Sequence, residues 1–178
     1  MKVINLMGGP GTGKTTTAAG LFFAMKKLGL DVEFSLEFAK DIVYDEHFKM
    51  FGNQEKIFAE QNWRLSRLLN SGNEYAITDC PLFTNILYFQ PQNETLCKLV
   101  MEKFHSYENY NYFLTRQHTF NPVGRMQKNE GEAVEIDEKL LALLKEYNLP
   151  YRVLPASDEA IREILIEHGY PGNAVTLP

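Results

Sequence analysis

Apolar and polar positions follow two alternating periods along the chain, one typical of strands and one typical of helices. Short apolar runs at Val3–Met7 and Tyr75–Asp79 predict buried strands, and the strictly alternating segment Val32–Glu37 predicts a strand buried on one face. Apolar residues at helical spacing predict helices over Thr15–Leu28 and Glu55–Asn70. Strands and helices therefore take turns, which indicates an α/β fold with a mainly parallel sheet.

The second half of the chain continues this alternation. The predicted strands are Tyr110–Arg116 and Tyr151–Leu154. A helical stretch is predicted from Pro81 to about Phe89, and a helix over Asn93–His105. Two further helices are predicted, one from an Asp137 N-cap to about Tyr147 and a last one that is capped by Ser157 or Asp158 and ends near Gly169. Residues 117–133 are polar and lack a clean period, and they are too many for an ordinary connection. They are therefore expected to form a functional lid or a mobile loop, and residues 170–178 a loosely held tail.

Length and composition narrow the class of protein. A chain of 178 residues, 44% apolar and 23% charged, suits a single globular domain over residues 1–178. The net charge of −5 disfavours a general basic coat for nucleic acid. The apolar runs fall short of the roughly 20 residues that span a bilayer, and the N-terminus does not resemble a signal peptide. Cys80 and Cys97 form no metal-binding pattern, so we expect two reduced thiols in a cytoplasmic protein.

The strongest motif is the segment Gly8-Gly9-Pro10-Gly11-Thr12-Gly13-Lys14-Thr15, which matches G-x-x-x-x-G-K-[ST] in full between a predicted strand and a predicted helix. The glycines let backbone N–H groups converge on phosphate oxygens, and the following helix adds its positive end. Lys14 can reach the outer phosphates of a nucleotide, and the Thr15 hydroxyl can ligate Mg²⁺. The predicted nucleotide-binding residues are Gly9, Gly11, Thr12, Gly13, Lys14, Thr15 and Thr16.

A phosphate-binding loop identifies the nucleotide but not the reaction. A GTPase would carry a guanine-reading N/T-K-x-D segment, and the sequence contains none. A motor ATPase usually ends an apolar strand with Asp-Glu, whereas Asp79 is followed by Cys80-Pro81. These features favour a small kinase, a class that also explains a lid, because a kinase must exclude water from the γ-phosphate.

Acidic and polar side chains follow the predicted strands. Glu37 and Asp79 lie at the carboxyl ends of the second and third strands, where ligands of open α/β sheets bind. Either carboxylate could take a proton from an acceptor hydroxyl or hold Mg²⁺ through water. Asp41 lies one helical turn after Glu37, and Gln61 and Arg64 share one face of the long helix, where they could contact the base or ribose of a substrate.

Two arginines are candidates for contacts with the transferred phosphoryl group. Arg116 ends the fourth strand and Arg125 lies in the predicted lid. A guanidinium gains interaction as charge spreads over the γ-phosphoryl oxygens in the transition state. Pro155 and Ala156 follow the fifth strand at its carboxyl end, where an adenine could pack.

Several segments together resemble a known family. They are the phosphate-binding loop, Leu36-Glu37-Phe38-Ala39-Lys40-Asp41, the helix with Gln61 and Arg64, Ile77-Thr78-Asp79, and Phe113-Leu114-Thr115-Arg116. They look like the P-loop kinases that include the ribosylnicotinamide kinase domain of the bacterial NAD regulator, and chains of this kind are often classed as AAA-type ATPases. The resemblance covers most of residues 1–157. It implies a P-loop NTPase fold with sheet order 2-3-1-4-5, helices on both faces, and ATP with Mg²⁺ as donor.

The implied strand order separates the two carboxylates. Asp79 ends a strand beside the phosphate-binding strand, so we expect it on the Mg²⁺ side, whereas Glu37 ends an edge strand and is expected to be the general base towards the acceptor. The Cys80-Pro81 segment departs from the more polar family pattern and leaves the acceptor open. Three hypotheses follow: a kinase for a nucleoside- or nucleotide-like small molecule, a polynucleotide or modified-nucleotide kinase that would need a local basic groove, or an ATP-binding switch with weak ATPase activity.

Overall fold

The computed structural model describes residues 1–89, 93–123 and 125–175. Gly124, within the predicted lid, and residues 176–178 of the predicted tail lie outside the described residues. The strands are β1 (Lys2–Met7), β2 (Val32–Ser35), β3 (Tyr75–Thr78), β4 (Glu108–Thr115) and β5 (Arg152–Pro155). The α-helices are α1 (Lys14–Lys27), α2 (Phe38–Tyr44), α3 (Gln54–Asn70), α4 (Glu94–His105), α5 (Glu130–Glu146) and α6 (Asp158–Glu167), and short 3-10 helices cover Phe48–Gly52, Leu82–Tyr88 and Gly172–Val175.

The five strands form one parallel sheet in the order β2-β3-β1-β4-β5, which confirms the predicted order. Alternate residues of β1 enter two different cores because side chains of a strand alternate between the faces of the sheet. Val3 and Met7 pack with α3, α4 and α5, whereas Ile4 and Leu6 pack with α1 and α6. Helices therefore cover both faces, and all the parallel strands end at the same edge, where β1 leads into the phosphate-binding loop.

The N-cap of helix α5 lies eight residues earlier than the sequence predicted. The predicted N-cap Asp137 lies inside the helix, and Asn129 caps it instead, because the Asn129 side chain accepts a hydrogen bond from the Glu132 N–H at 3.0 Å. Glu130 and Glu132 in the first turn also favour this start through the helix dipole. The last residues of the predicted lid, 130–133, are consequently helical, and the irregular part of the segment ends at Asn129.

The prediction of a loosely held tail is wrong for the first residues of that segment. Tyr170 packs edge-on against Tyr75, and the two hydroxyl groups lie 3.2 Å apart, within hydrogen-bond distance. The chain then forms the 3-10 helix Gly172–Val175, which packs against α1 and α6. Across the described ranges, no helix is both long and apolar enough to cross a membrane.

Candidate functional site

The loop between β1 and α1 has the backbone of a phosphate cradle. Gly8, Gly11 and Gly13 adopt positive φ values of 143°, 74° and 97°, a region that side chains with a Cβ rarely enter. The buried Thr12 hydroxyl closes the loop with a hydrogen bond to the Gly9 carbonyl at 2.9 Å. Helix α1 starts at Lys14, and its first turn contains no acidic residue. Its first N–H groups have no partner within the helix, so this end of α1 is suited to an anion.

Lys14 extends back over the loop that precedes it. Its Nζ donates to the carbonyl oxygens of Gly8 at 2.8 Å and Gly9 at 2.9 Å. The ammonium group, which was predicted to meet the outer phosphates, is thus held at the carbonyl oxygens of the loop. Thr16, the last predicted nucleotide-binding residue, lies exposed one residue after Thr15 in the first turn of α1.

Thr15 and Asp79, the predicted metal residues, are in direct contact. The Thr15 hydroxyl donates to Asp79 Oδ2 at 2.6 Å. Asp79 is only 2% exposed, and no group among the described residues donates a hydrogen bond to its Oδ1. A buried carboxylate oxygen without a partner is costly unless a cation satisfies it. A hydroxyl and a carboxylate are oxygen ligands of the type that Mg²⁺ prefers, so this pair fits the ion.

The Thr15 hydroxyl and the Asp79 carboxylate are only part of the ligand set that a bound Mg²⁺ needs. Within the described part of the chain, no group of three or more His, Cys, Asp or Glu side chains could hold a metal ion. Mg²⁺ typically keeps several waters and is held by one or two carboxylates together with substrate phosphates. The Thr15–Asp79 pair therefore suits a metal that arrives with the nucleotide.

Glu37 stands between β2 and α2 at the same edge of the sheet. It is half-buried, and burial raises its pKa above the ordinary value of 4.5. The positive charge of Lys14 opposes this shift and the negative charge of Asp79 adds to it, which places Glu37 within electrostatic range of both. The structure thus brings the two predicted carboxylates to one site from the ends of neighbouring strands.

Arg116 lies beside the phosphate-binding loop but is already paired. Its Nη1 donates to the Pro10 carbonyl, and its Nη2 forms an ion pair with Asp137 at 2.8 Å. Asp137 Oδ1 also accepts a hydrogen bond from the Gly9 N–H. The side chains of Arg116 and Asp137 are 9% and 17% exposed. Helix α5 is therefore fastened to both the loop and Arg116 through one carboxylate.

Asp137 is a site residue that the sequence-based reasoning missed. A signal for it existed, since Asn129 followed three positions later by Glu132 is a helix-start pattern. With the helix starting there, Asp137 falls in a buried stripe with Ala133, Leu140 and Leu144. A carboxylate within such a stripe indicates a specific partner.

The segment before α5 partly covers the loop. A Cβ built on Gly11 would lie 2.9 Å from the Phe120 ring, so Phe120 packs directly on the loop backbone. Arg125 is exposed, lies over the Phe120 ring at 5.8 Å, and donates to backbone carbonyls of its own segment, including that of Val123. The charge of Arg125 lowers the pKa of Glu37.

Ala156, which was predicted to contact the nucleotide, lies next to the phosphate-binding loop. A Cβ on Gly13 would come within 3.0 Å of the Ala156 Cβ, so the end of β5 is next to the end of the phosphate-binding loop. The Ala156 N–H donates to the Thr115 carbonyl at 3.1 Å, which fixes this turn to β4. Pro155 is the last residue of β5, immediately before it.

Besides Glu37, the residues predicted to contact substrate are Asp41, Gln61 and Arg64, which lie near the segment that carries Glu37. Arg64 makes ion pairs with Asp41 at 2.8 Å and with Glu60 at 2.9 Å. Gln61 is only 2% exposed and hydrogen-bonds to backbone groups next to Glu37 and Asp79. The structure thus gives their polar atoms partners within the protein, and for Gln61 it leaves almost no surface for a substrate.

Comparison with known proteins assigns the chain to a family. A family model described as an AAA domain matches residues 3–162, which is most of the chain. No curated protein matches the chain at a significant level.

Proposed function

The chain belongs to the AAA domain family of nucleotide-binding P-loop proteins, and from its site we propose that it is a kinase. In this proposal it transfers the γ-phosphate of ATP to a hydroxyl or phosphate group of a nucleoside- or nucleotide-like small molecule. The family covers nucleotide hydrolysis as well as phosphotransfer. The choice between them depends on how the carboxylates are arranged.

The observation that carries the proposal is the position of the second carboxylate. A hydrolytic P-loop enzyme usually has its glutamate base directly after the metal-side aspartate, but here Cys80 follows Asp79. Burial raises the pKa of the Cys80 thiol, and the charges of Glu37 and Asp79 add to the shift, so the thiol stays protonated. The second carboxylate is instead Glu37, on the edge side of the sheet. In this proposal the acceptor binds between Glu37 and the phosphate-binding loop.

Each side chain then has one role. The loop and Lys14 bind and orient the phosphates, and Thr15 and Asp79 hold Mg²⁺, which neutralises charge on the phosphate oxygens. Glu37 orients the acceptor and takes its proton at a carboxylate oxygen. Arg125 stabilises the charge that develops on the transferred group, and Arg116, held by Asp137 and the Pro10 carbonyl, adds its positive charge beside the loop. The segment around Phe120 and Arg125 acts as a lid that excludes water.

In this proposal the ring of the acceptor stacks on Tyr88. Tyr88 exposes 43% of its surface at the end of the 3-10 helix Leu82–Tyr88. An exposed aromatic side chain suits stacking with a nucleobase.

The test is an acceptor screen with ATP and Mg²⁺, followed through ADP formation. The acceptors are nucleosides, nucleotides, ribosylnicotinamide and 5′-hydroxyl oligonucleotides. We expect a nucleoside- or nucleotide-like molecule to accelerate ADP formation. Lys14→Ala should remove this activity, whereas Lys26→Ala, a change at an exposed lysine near the other end of α1, should not.

The alternatives give different results in the same screen. Activity with oligonucleotides alone would make the protein a polynucleotide kinase. Slow ADP formation that no acceptor accelerates would favour the ATP-binding switch.

A further inference from the structure

The side chain of Gln61 joins two loops of the site from behind. It projects from α3, is 2% exposed, and uses both ends of its amide group. Its Oε1 accepts from the Phe38 N–H at 3.2 Å, and its Nε2 donates to the Cys80 carbonyl at 3.1 Å and, at a longer 3.5 Å, to the Leu36 carbonyl. All of these partners are backbone groups.

These backbone groups lie next to the two carboxylates of the site. Leu36 and Phe38 flank Glu37, and Cys80 directly follows Asp79. One amide therefore bridges the segment that carries the proposed base and the segment that carries the proposed metal-side carboxylate. Those segments end neighbouring strands, β2 and β3, whose ladder stops at Ser35 and Thr78.

We propose that Gln61 is a positioning residue, which fixes Glu37 and Asp79 relative to each other without touching the substrate. The inference rests on the proposed function for the roles of the two carboxylates. It replaces the prediction that Gln61 contacts a base or ribose, because both ends of its amide are engaged by the protein backbone.

The chemistry of the amide suits this task. Only a group that both donates and accepts can hold an N–H and a carbonyl together, and Asn and Gln carry a separate donor and acceptor on a side chain that does not ionise. An ionised group at this point would add its charge to a site that already contains Lys14, Glu37 and Asp79. Gln61 thus links the two loops without changing the electrostatic balance of the site.

The Phe38 N–H provides a direct measurement of this link. Phe38 is the first residue of α2, so its N–H has no partner within the helix. Gln61 Oε1 supplies the bond, and protection of this N–H from hydrogen exchange reports it. Gln61→Met removes the acceptor and should remove the protection. Gln61→Glu keeps an acceptor oxygen but loses the amide donor, so the Phe38 N–H should stay protected while the link to Cys80 is weakened.

Gln54→Met is the matched control. Gln54 lies at the start of the same helix and its Nε2 also donates to a backbone carbonyl, that of Phe51 at 2.7 Å, away from the two carboxylates. The same substitution there should leave the Phe38 N–H protected and turnover at the wild-type level.

Turnover separates a positioning role from a substrate contact. Misplacing a catalytic group by about 1 Å can cost about 100-fold in rate. We therefore expect both Gln61 variants to lower kcat at least tenfold, with little change in KM for ATP or acceptor. Wild-type kcat in both variants would overturn the inference, and so would a rise in acceptor KM at unchanged kcat, which would restore the substrate contact.

A failure of the proposed function would be recognised separately. If the wild-type protein transfers phosphate to no acceptor, the link is tested through Mg²⁺-dependent nucleotide affinity, which depends on Asp79 but on no acceptor. A loss in Gln61→Met that is absent from Gln54→Met would support the link. Equal affinity in the two variants would overturn it.

Discussion

At the scale of single residues, the site is built from polar atoms whose protein partners are incomplete. Asp79 Oδ1 is buried, and no group in the described ranges donates to it, although the other oxygen of the same carboxylate accepts from Thr15. Lys14 places its charge on carbonyl oxygens, which are weaker partners than phosphate oxygens. Such groups gain interaction when a nucleotide and its metal bind. Polar groups with incomplete partners destabilise the folded protein, and we therefore expect these groups to act in binding.

Asp79→Asn is therefore expected to weaken nucleotide binding only when Mg²⁺ is present. The amide keeps the shape of the side chain but removes the charge that the metal needs. Loss of even an outer partner of a metal ligand typically costs about 10–100-fold in metal affinity, so loss of this carboxylate should cost at least about tenfold. Isothermal titration with an ATP analogue, with and without Mg²⁺, measures the difference. The metal assignment would be contradicted if the wild type and Asp79→Asn bound the ATP analogue with the same affinity, both with and without Mg²⁺.

Glu37→Gln is expected to lower turnover but raise stability. General-base assistance is typically worth about 10²–10⁴ in rate, so kcat should fall by that factor. Because the pKa of Glu37 is raised in the fold, the folded protein holds its proton more tightly than the unfolded chain does. The stability of the wild type relative to the variant is therefore greatest below pH 4.5 and falls as pH rises through the raised pKa.

At neutral pH the Glu37→Gln variant should consequently have the higher Tm. For a chain of this length, each kcal/mol corresponds to about 2–4 °C. Glu33→Gln, at an exposed residue of β2 that pairs with Lys26, is the control and should change neither Tm nor kcat appreciably. A lower Tm for Glu37→Gln across the whole pH range would show that its carboxylate is not destabilised by burial.

At the scale of elements, helix α5 holds the phosphate-binding loop in place. A Cβ on Gly9 would lie 2.5 Å from the Ala133 carbonyl, so the loop packs against the helix without space for a side chain. Asp137, one turn further along, binds both the Gly9 N–H and Arg116. The segment between β4 and α5 crosses the loop, with Phe120 on Gly11. Loop, lid and Arg116 therefore depend on the start of one helix.

Asp137→Ala should weaken both the fold and the site. It leaves the Arg116 guanidinium largely buried without its partner, a loss of about 1–3 kcal/mol. Thermal unfolding measures the loss, and nucleotide affinity should fall as well because the Gly9 N–H loses its acceptor. Glu135→Ala on the same helix, at an exposed pair with Lys139, should stay within about 0.5 kcal/mol of the wild type. Equal Tm values for the two variants would contradict the role of Asp137.

The proposed lid predicts protection from trypsin. Arg125 and Lys128 are exposed, so the segment should be cleaved readily and become resistant when an ATP analogue and Mg²⁺ bind, since closure requires Arg125 to find a phosphate. Lys14→Ala, which binds the outer phosphates poorly, should show less protection. Cleavage at one rate with and without nucleotide would argue against a moving lid.

At the scale of the whole molecule, the sequence predicts what depends on local pattern. The glycine-rich loop, the alternating edge strand β2 and the carboxylates at strand ends all lie within short segments, and the resemblance to P-loop kinases supplied the strand order, which the structure confirms. The contacts of Asp137 with Gly9 and of Arg116 with Pro10 join residues more than 100 positions apart. Such partners follow from packing rather than from periodicity.

The burial of Gln61 was likewise not predictable from local sequence pattern. Its place on a helix face with Arg64 was predictable, but a polar residue on a helix face is usually exposed, and substrate contact was the natural interpretation. Its burial depends on how α3 lies against β2 and against the segment that follows β3, which no local pattern encodes. Chemistry at strand ends was therefore predictable, whereas the residues that hold those ends together were not.

The most direct test of the proposed kinase is to follow the γ-phosphate of ATP by ³¹P NMR in the presence of Mg²⁺ and the acceptor that most accelerates ADP formation. Transfer predicts a new resonance of a phosphorylated acceptor that grows in step with ADP, with little inorganic phosphate. It also predicts that this resonance grows more slowly with Glu37→Gln and at the wild-type rate with Glu33→Gln. Growth of inorganic phosphate alone, at the same rate with and without the acceptor, would contradict the account.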